Sequence, residues 1–377
     1  MNAWPGKYVI GLTGNIATGK SVVRKMLEHL GAYGIDADAL GHRAIALGSP
    51  GYRPVVDTFG KWILTPDGQV DRGRLGRIVF ADPEALAHLE SIVHPLVLQA
   101  VDVLVRRSNH KVIALEAIKL LESNLRSKCD NLWVVYAAQD VQLSRLMQKR
   151  GMSEEAARQR ISSQPPQKEK IALANAVIRN DGSFEDTWKQ VSIAWQSLFP
   201  VMEAAPVRAF QTLKGELLVQ RGRPKQAEEI ATFINRVSMG RRRLTREDVM
   251  ASFGEKAYLL LMMDEKLIGL VGWQVENLVA RTDDVFIDPI LPVGEGVRVL
   301  LEEVESTSRD LQCEAALLFL PRDLARQETL WQSLGYQSRT IASLSVRAWQ
   351  EAAAESMPAE SSLLFKQLRK DRVLRPV

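Results

Sequence analysis

Gly14-Asn15-Ile16-Ala17-Thr18-Gly19-Lys20-Ser21 fits the pattern G-x-x-x-x-G-K-[ST]. Glycines at this spacing let backbone N–H groups turn inward around phosphate oxygens. A helix starting at the end of the loop adds the positive end of its dipole. In such a loop the lysine reaches the outer phosphates, and the last hydroxyl is a ligand for Mg2+. The whole run from Gly14 to Ser21 is therefore a candidate nucleotide contact. Lys20 would stabilise charge, and Ser21 would hold the Mg2+ that travels with the nucleotide. Asp36 and Asp38 form a second group, at the end of a strand-like run. Ligands of an open α/β sheet gather at the carboxyl ends of its strands. One of these carboxylates could take a proton from a substrate hydroxyl while the other orders Mg2+ through water. A cap on the next helix is the alternative use of an aspartate here.

Positioning these groups requires alternating strands and helices. Lys7–Thr13 reads as a strand before the loop, Ser21–Leu30 as a helix after it, and Gly31 as its C-cap. Ala32–Asp36, Val112–Glu116, Leu132–Tyr136 and Ala176–Ile178 are further strand candidates. Pro83–Ser91 and Val141–Arg150 are helical patterns, and Ser183–Phe199 reads as a closing helix. This alternation predicts a parallel sheet in an α/β domain. Pro200–Pro206 is a breaker-rich junction, which places a domain boundary at 202/203.

After the junction, Leu217–Arg221 reads as a strand and Pro224–Val237 as a helix. Tyr258–Met263 and Lys266–Trp273 form a hairpin pattern around Asp264-Glu265. Val285–Ile287 and Ala315–Leu320 are strands, with a helix over Gly296–Asp310 between them. The tail after Lys370 reads as loose.

Bulk properties narrow the class. The chain has 377 residues, enough for two or three domains. Hydrophobic residues at 46% and charged residues at 25% are ordinary for a globular protein and exclude low-complexity classes. No apolar run approaches the length of a membrane span, and the N-terminus lacks the pattern of a signal peptide. Two distant cysteines, Cys129 and Cys313, exclude a disulfide framework and suit a reducing cytoplasm. The histidines and cysteines show no metal-ligand spacing. Residues 1–200 carry 25 basic against 20 acidic side chains, and the rest 24 against 25. That excess suits a phosphorylated ligand but is too dilute for nucleic acid.

Read together, the motifs resemble the dephospho-coenzyme A kinase family over residues 7–199. The resemblance rests on Gly11-Leu12-Thr13-Gly14 with the loop, Leu30-Gly31, Asp36-Ala37-Asp38, Asp67-Gly68 with Arg72, and Val79-Phe80. It continues through Leu89–Pro95, Leu120-Leu121-Glu122, Gln142–Leu146 with Arg150, Arg160-Ile161 with Gln164, and Val177-Ile178 with Asn180. It implies transfer of a phosphoryl group from ATP to the ribose 3′-hydroxyl of dephospho-CoA, the last step of CoA biosynthesis. It also implies a three-layer α/β/α P-loop NTPase fold, Mg2+, and no nucleic-acid or membrane partner. Asp38 is then the expected base, with Asp36 second to it. Arg145 falls where the family has a lid arginine able to close over phosphates. His94 matches a family position on the CoA side, with packing as its plainer use.

Three departures stand out. Asn15 and Ala17 replace glycines, and Asn175 replaces an aspartate. The family's D-v-P-L-L-f-E reads Glu116-Ala117-Ile118-Lys119-Leu120-Leu121-Glu122. Glu116 would then hold Mg2+-bound water in place of the usual aspartate.

Residues 203–377 resemble the acyl-CoA N-acetyltransferase (GNAT) family in element order, which implies an α+β fold and CoA or acetyl-CoA as ligand. Leu330–Tyr336 matches its late helix-to-strand turn. Its pyrophosphate loop would be Leu291–Gly296, without the usual first Arg or Gln and with Glu295 beside the phosphates. Two rivals to a plain kinase therefore stand: a weakened nucleotide- or CoA-binding regulator, and a bifunctional kinase and N-acetyltransferase.

Overall fold

A computed structural model describes residues 3–200, 208–212, 215–371 and 373. The junction expected at 200–206 and the boundary at 202/203 lie outside the described residues apart from Pro200, as does most of the tail after Lys370.

The N-terminal half runs β1 (Tyr8–Thr13), α1 (Lys20–His29), β2 (Tyr33–Asp36), α2 (Ala37–Ala44), α3 (Tyr52–Phe59), α4 (Arg72–Ala81) and α5 (Pro83–Arg107). It continues with β3 (Val112–Glu116), β4 (Asn131–Tyr136), α6 (Gln139–Arg150), α7 (Glu154–Ser162), α8 (Gln167–Ala172), β5 (Ala176–Arg179) and α9 (Phe184–Leu198). The strands form one parallel sheet in the order β2-β3-β1-β4-β5. Strands β1, β3 and β4 are nearly continuous apolar runs, because helices cover both faces of such a sheet. This is the expected three-layer α/β/α arrangement.

Most helices here start at a side chain that accepts backbone N–H groups. Asp36 caps α2, Asp71 caps α4, Asp82 caps α5, and Ser183 caps α9. Helix α1 differs: its N-cap is Gly19, no side chain caps it, and its first turn has no acid. Its leading N–H groups are left for an anion. Helix α5 is 25 residues long and continues through Pro95, well past the Ser91 at which the sequence pattern stops. It is the one described helix long and apolar enough to cross a membrane, yet Val97, Ala100, Val101, Leu104 and Val105 face the protein core.

The C-terminal half runs β6 (Arg208–Thr212), β7 (Gly215–Arg221), α10 (Ala227–Val237), α11 (Arg246–Ser252), β8 (Ala257–Met263), β9 (Lys266–Glu276) and β10 (Val279–Ile287). Then come α12 (Val293–Asp310), β11 (Ala315–Pro321), α13 (Arg322–Ala325), α14 (Glu328–Ser333), β12 (Gln337–Arg339), α15 (Arg347–Ser356) and β13 (Ser361–Gln367). The sheet order is β12-β13-β11-β10-β9-β8-β7-β6, mixed in sense. Among the described residues of this sheet only β10 and β11 pair in parallel, over Val279–Thr282, and β10 then bulges and continues beside β9. The hairpin at Asp264-Glu265 is present, with both residues at positive φ.

The halves meet along α1, β2 and α2. Lys25 reaches Val275, His29 reaches Phe253, Tyr33 reaches Leu311, and Arg43 reaches Asn277 and Glu314.

Candidate active site

The loop after β1 is held from behind by backbone and side-chain contacts. A side chain at Gly14 would run into the Val135 carbonyl, and one at Gly19, at φ 91, into the Asn180 amide. Only glycine fits either place. The Thr18 hydroxyl donates to Asn15 O at 2.9 Å, and Asn15 Nδ2 donates to Pro165 O at 2.9 Å. Gln164 Oε1 accepts from the Ile16 N–H at 2.7 Å. Of the two positions where glycine is replaced, only Ala17 takes positive φ, at 58. Asn15 has an ordinary backbone and a bonded amide, so the two replacements differ in consequence.

The carboxylates gather at the ends of two neighbouring strands. Asp36 and Glu116 are register partners on β2 and β3, and Glu116 is also opposite Leu12 on β1. Both face the crevice into which α1 brings Lys20 and Ser21. The Ser21 hydroxyl donates to Glu116 Oε1 at 2.9 Å, and Arg24 Nε donates to Glu116 Oε2 at 2.8 Å. Asp36 caps α2 by accepting from the Ala39 N–H, so the capping use of this residue is realised. Asp38 Oδ2 accepts from the Ile118 N–H at 3.0 Å. The family pattern has proline at this place, and proline has no N–H to offer. Lys170 Nζ donates to the carbonyl of the same Ile118 at 3.1 Å.

Burial sets the electrostatics. Burial pushes the Asp36 carboxyl up to about 6, helped by the neighbouring Glu116 charge. Burial also raises Asp38, against the Ile118 N–H and the Lys20 charge, which lower it. Burial lowers Lys20, and the charges of Glu116 and Asp38 oppose that shift. Burial likewise penalises Arg24, but Glu28 and Glu116 outweigh it and leave the guanidinium firmly charged. Carboxylates lifted toward neutrality beside buried cations are matched to proton transfer near pH 7.

The structure therefore brings Lys20, Ser21, Asp36, Asp38 and Glu116 together at one mouth. Arg145 stands behind the loop: its Nη1 donates to Ala17 O and Thr18 O at 3.2 and 3.3 Å, and its Nη2 to Asn180 O at 2.8 Å. His94 is exposed on α5, and among the described residues no hydrogen bond or ion pair joins it to this group. The side chain of Arg150 lies outside the described residues.

Sequence reasoning missed Arg24 and Lys170. Arg24 lies on the inner face of α1 one turn from Ser21, a spacing that could have revealed it. Lys170 sits six residues past Gln164 and carries no local mark.

Mg2+ fits the donors at this mouth. A serine hydroxyl hydrogen-bonded to a carboxylate, with further acids beside it, offers hard oxygen ligands. No all-protein metal cage occurs among the described residues. The hydroxyl and carboxylate suit an ion bound through one or two protein groups plus substrate phosphates.

In the C-terminal half, the expected pyrophosphate loop at Leu291–Gly296 is a loop only at Leu291 and Pro292. Helix α12 starts at Val293, so Gly294 and Gly296 lie in its first turn. A side chain at Gly296 would press on Ile287 and Leu291, so this glycine serves helix–strand packing. Asp288, just before the helix, accepts from the Ile290 N–H and from Arg236.

Residues 8–186 match the family model described as dephospho-CoA kinase. The chain is 44% identical over 191 residues to a dephospho-CoA kinase of Geobacter metallireducens, covering 50% of this chain and 95% of that protein. It is 45% identical over 186 residues to one of Carboxydothermus hydrogenoformans, covering 48% and 90%. Among solved structures it is similar to a GNAT-family acetyltransferase from Streptococcus pneumoniae at 19% identity and TM-score 0.31, over 40% of this chain and 98% of that one.

Proposed function

Since this chain belongs to the dephospho-CoA kinase family through its N-terminal half, we propose the following division of labour among its residues. The protein is a phosphotransferase that moves the γ-phosphoryl group of ATP to the ribose 3′-hydroxyl of dephospho-CoA, giving CoA and ADP. The observation that carries the assignment of roles is the convergence of Asp36, Asp38 and Glu116 on Lys20 and Ser21.

The backbone of Gly14–Ser21 and the uncapped start of α1 cradle the phosphates. Lys20 neutralises charge on the transferring group, which is where most catalysis of phosphoryl transfer arises. Asp38 takes the proton of the attacking hydroxyl. Its link to Ile118 N–H aims it, and a pKa raised by burial makes it a better proton acceptor than an ordinary carboxylate. Ser21 and Glu116 would hold Mg2+, which supplies charge neutralisation at the phosphates when bound. Asp36 orients α2 as its cap. Arg145 fixes the loop by its Ala17 and Thr18 carbonyls.

The kinase domain is residues 1–202 and the second domain residues 203–377. No acetyl-transfer step is assigned to the second domain, because its expected phosphate segment has Leu291 in place of an Arg or Gln and places Glu295 in the first turn of α12. CoA or acetyl-CoA is its expected ligand class, and acetyl-CoA turnover by the full chain would restore the bifunctional reading. The protein's setting is the cytoplasm, in keeping with its two free, buried cysteines.

A coupled ATP assay with dephospho-CoA tests the kinase. Turnover that Lys20→Ala lowers by about 10²–10³-fold is expected, the scale of losing one preorganised charge donor. Intact nucleotide binding without turnover would establish the regulator instead.

A further inference from the structure

The relatives are matched over nearly their full length by the N-terminal half alone. The second half of this chain nevertheless reaches the two helices that carry the site. Strands β9 and β10 are joined by the two-residue turn Asn277-Leu278, with Glu276 and Val279 paired across it. Both turn residues are left-handed, at φ 52 and 61. A turn of this kind favours Asn-Gly, and leucine there is strained. Strain of this sort persists only where surrounding structure enforces it. Leu278 is 8% exposed, and it packs into the apolar cluster of the other half with Tyr33, Ile35, Leu40 and Leu104.

Two polar struts flank this plug. On one side, Arg43 of α2 donates to Asn277 O at 2.6 Å and to Glu314 Oε1 at 2.7 Å. Glu314 is essentially buried, its side chain 1% exposed. On the other side, Lys25 of α1 donates to Val275 O at 2.7 Å and to Glu28 Oε2 at 3.1 Å. Glu28 Oε1 accepts from Arg24 Nη1 at 2.6 Å, and Arg24 Nε donates to Glu116. Glu116 accepts from Ser21. An unbroken row of bonds thus runs from the hairpin tip to the Mg2+-ligating hydroxyl.

We propose that the Val275–Leu278 hairpin tip positions the kinase site, acting through Lys25, Glu28 and Arg24 to hold Glu116 against Ser21. The carboxylate can serve Ser21 only in one orientation, and Arg24 sets that orientation. Arg24 is placed in turn by Glu28, whose second oxygen Lys25 holds against the hairpin. Lys25 is a positioning residue and touches no substrate. This rests on the roles given above to Ser21 and Glu116. Outer partners of a metal ligand typically change affinity by about 10–100-fold when lost.

The test uses the full chain and two readouts: calorimetric binding of ADP with and without Mg2+, and the Mg2+ concentration giving half-maximal dephospho-CoA phosphorylation. Lys25→Met removes the strut. Leu278→Gly removes the plug while leaving the turn its favoured Asn-Gly pair, so it should fold where a harsher change would not. Each should raise the Mg2+ needed for both readouts by about 10-fold. Metal-free ADP binding should stay unchanged, and Lys25→Arg should restore the wild-type Mg2+ requirement. A merely structural loss would lower the active fraction without moving that requirement. Folded variants with wild-type Mg2+ dependence would overturn the inference. Wild-type protein that binds Mg2+–ADP but does not phosphorylate dephospho-CoA would overturn the kinase reading, and the binding readout would still decide the hairpin's role.

Discussion

Ser21 and Glu116, 95 residues apart in sequence, are joined by a 2.9 Å hydrogen bond at the carboxyl edge of the sheet. The hydroxyl donates and the carboxylate accepts, which leaves the serine oxygen free to accept or to ligate. The bond places the acid that replaces the family's aspartate in working contact with the phosphate loop, despite the longer side chain.

Glu116 therefore has two duties that substitution should separate. Glu116→Gln keeps an acceptor for Ser21 but lowers the charge, and should raise the Mg2+ requirement in an assay titrated with the metal. Glu116→Ala also leaves Arg24 buried without this partner. It should cost about 3 kcal/mol in denaturant unfolding, as expected on breaking a buried ion pair. An unchanged Mg2+ titration in the glutamine variant would remove Glu116 from the metal site.

Asp38 is tied to a backbone donor that the family's proline could not provide. The Ile118 N–H lowers the Asp38 carboxyl against the upward push of burial. Ile118→Pro deletes that donor, so the carboxyl should rise further. A base must be ionised to act, so the acid limb of the kcat/KM profile should move to higher pH. A profile that stays in place would argue that Asp38 is not the base.

Ala17 occupies the left-handed region, where an L-side chain costs roughly 1–2 kcal/mol. Ala17→Gly should relieve this, partly offset by the freer unfolded chain, for a net gain of about 0.5–1 kcal/mol in unfolding free energy. Asn15→Gly should do the reverse, since it loses the bond to Pro165 and gains no conformational relief.

The Asp36 carboxyl sits at about 6, above its ordinary value near 4. Holding it ionised thus opposes folding fully above pH 6, progressively less down to about pH 4, and not at all below that. Asp36→Asn keeps an acceptor for the Ala39 N–H and removes the charge. Its unfolding free energy should exceed that of wild type by about 3 kcal/mol at pH 7.5, and the gain should vanish at pH 4. A gain that persists at pH 4 would mean that packing, not ionisation, produced it.

Much of the kinase half was legible before folding. Gly14–Ser21 is local, and its flanking strand and helix announce themselves by periodicity. Asp36 and Asp38 follow from their place at a strand end. In the second half, α12 begins before Gly294, because Gly296 is needed where the helix crosses Ile287 rather than in a loop. The plain turn Asn277-Leu278 carries no sequence signal, since leucine is a poor candidate for that conformation.

The sequence by itself determined the chemistry at the centre: a phosphate loop, its lysine and serine, and acids on the adjoining strand. These depend on contiguous residues whose geometry is set by local backbone rules. Only the tertiary structure decided what surrounds them. Arg24 meets Glu116 across 92 residues, Lys25 meets Val275 across 250, and Arg43 meets Glu314 across 271. Such pairs arise when a helix packs on its sheet, or against the other half of the chain, and water is expelled between them. A charged residue that reads as an exposed helix face then becomes a buried strut, and no local pattern distinguishes the two.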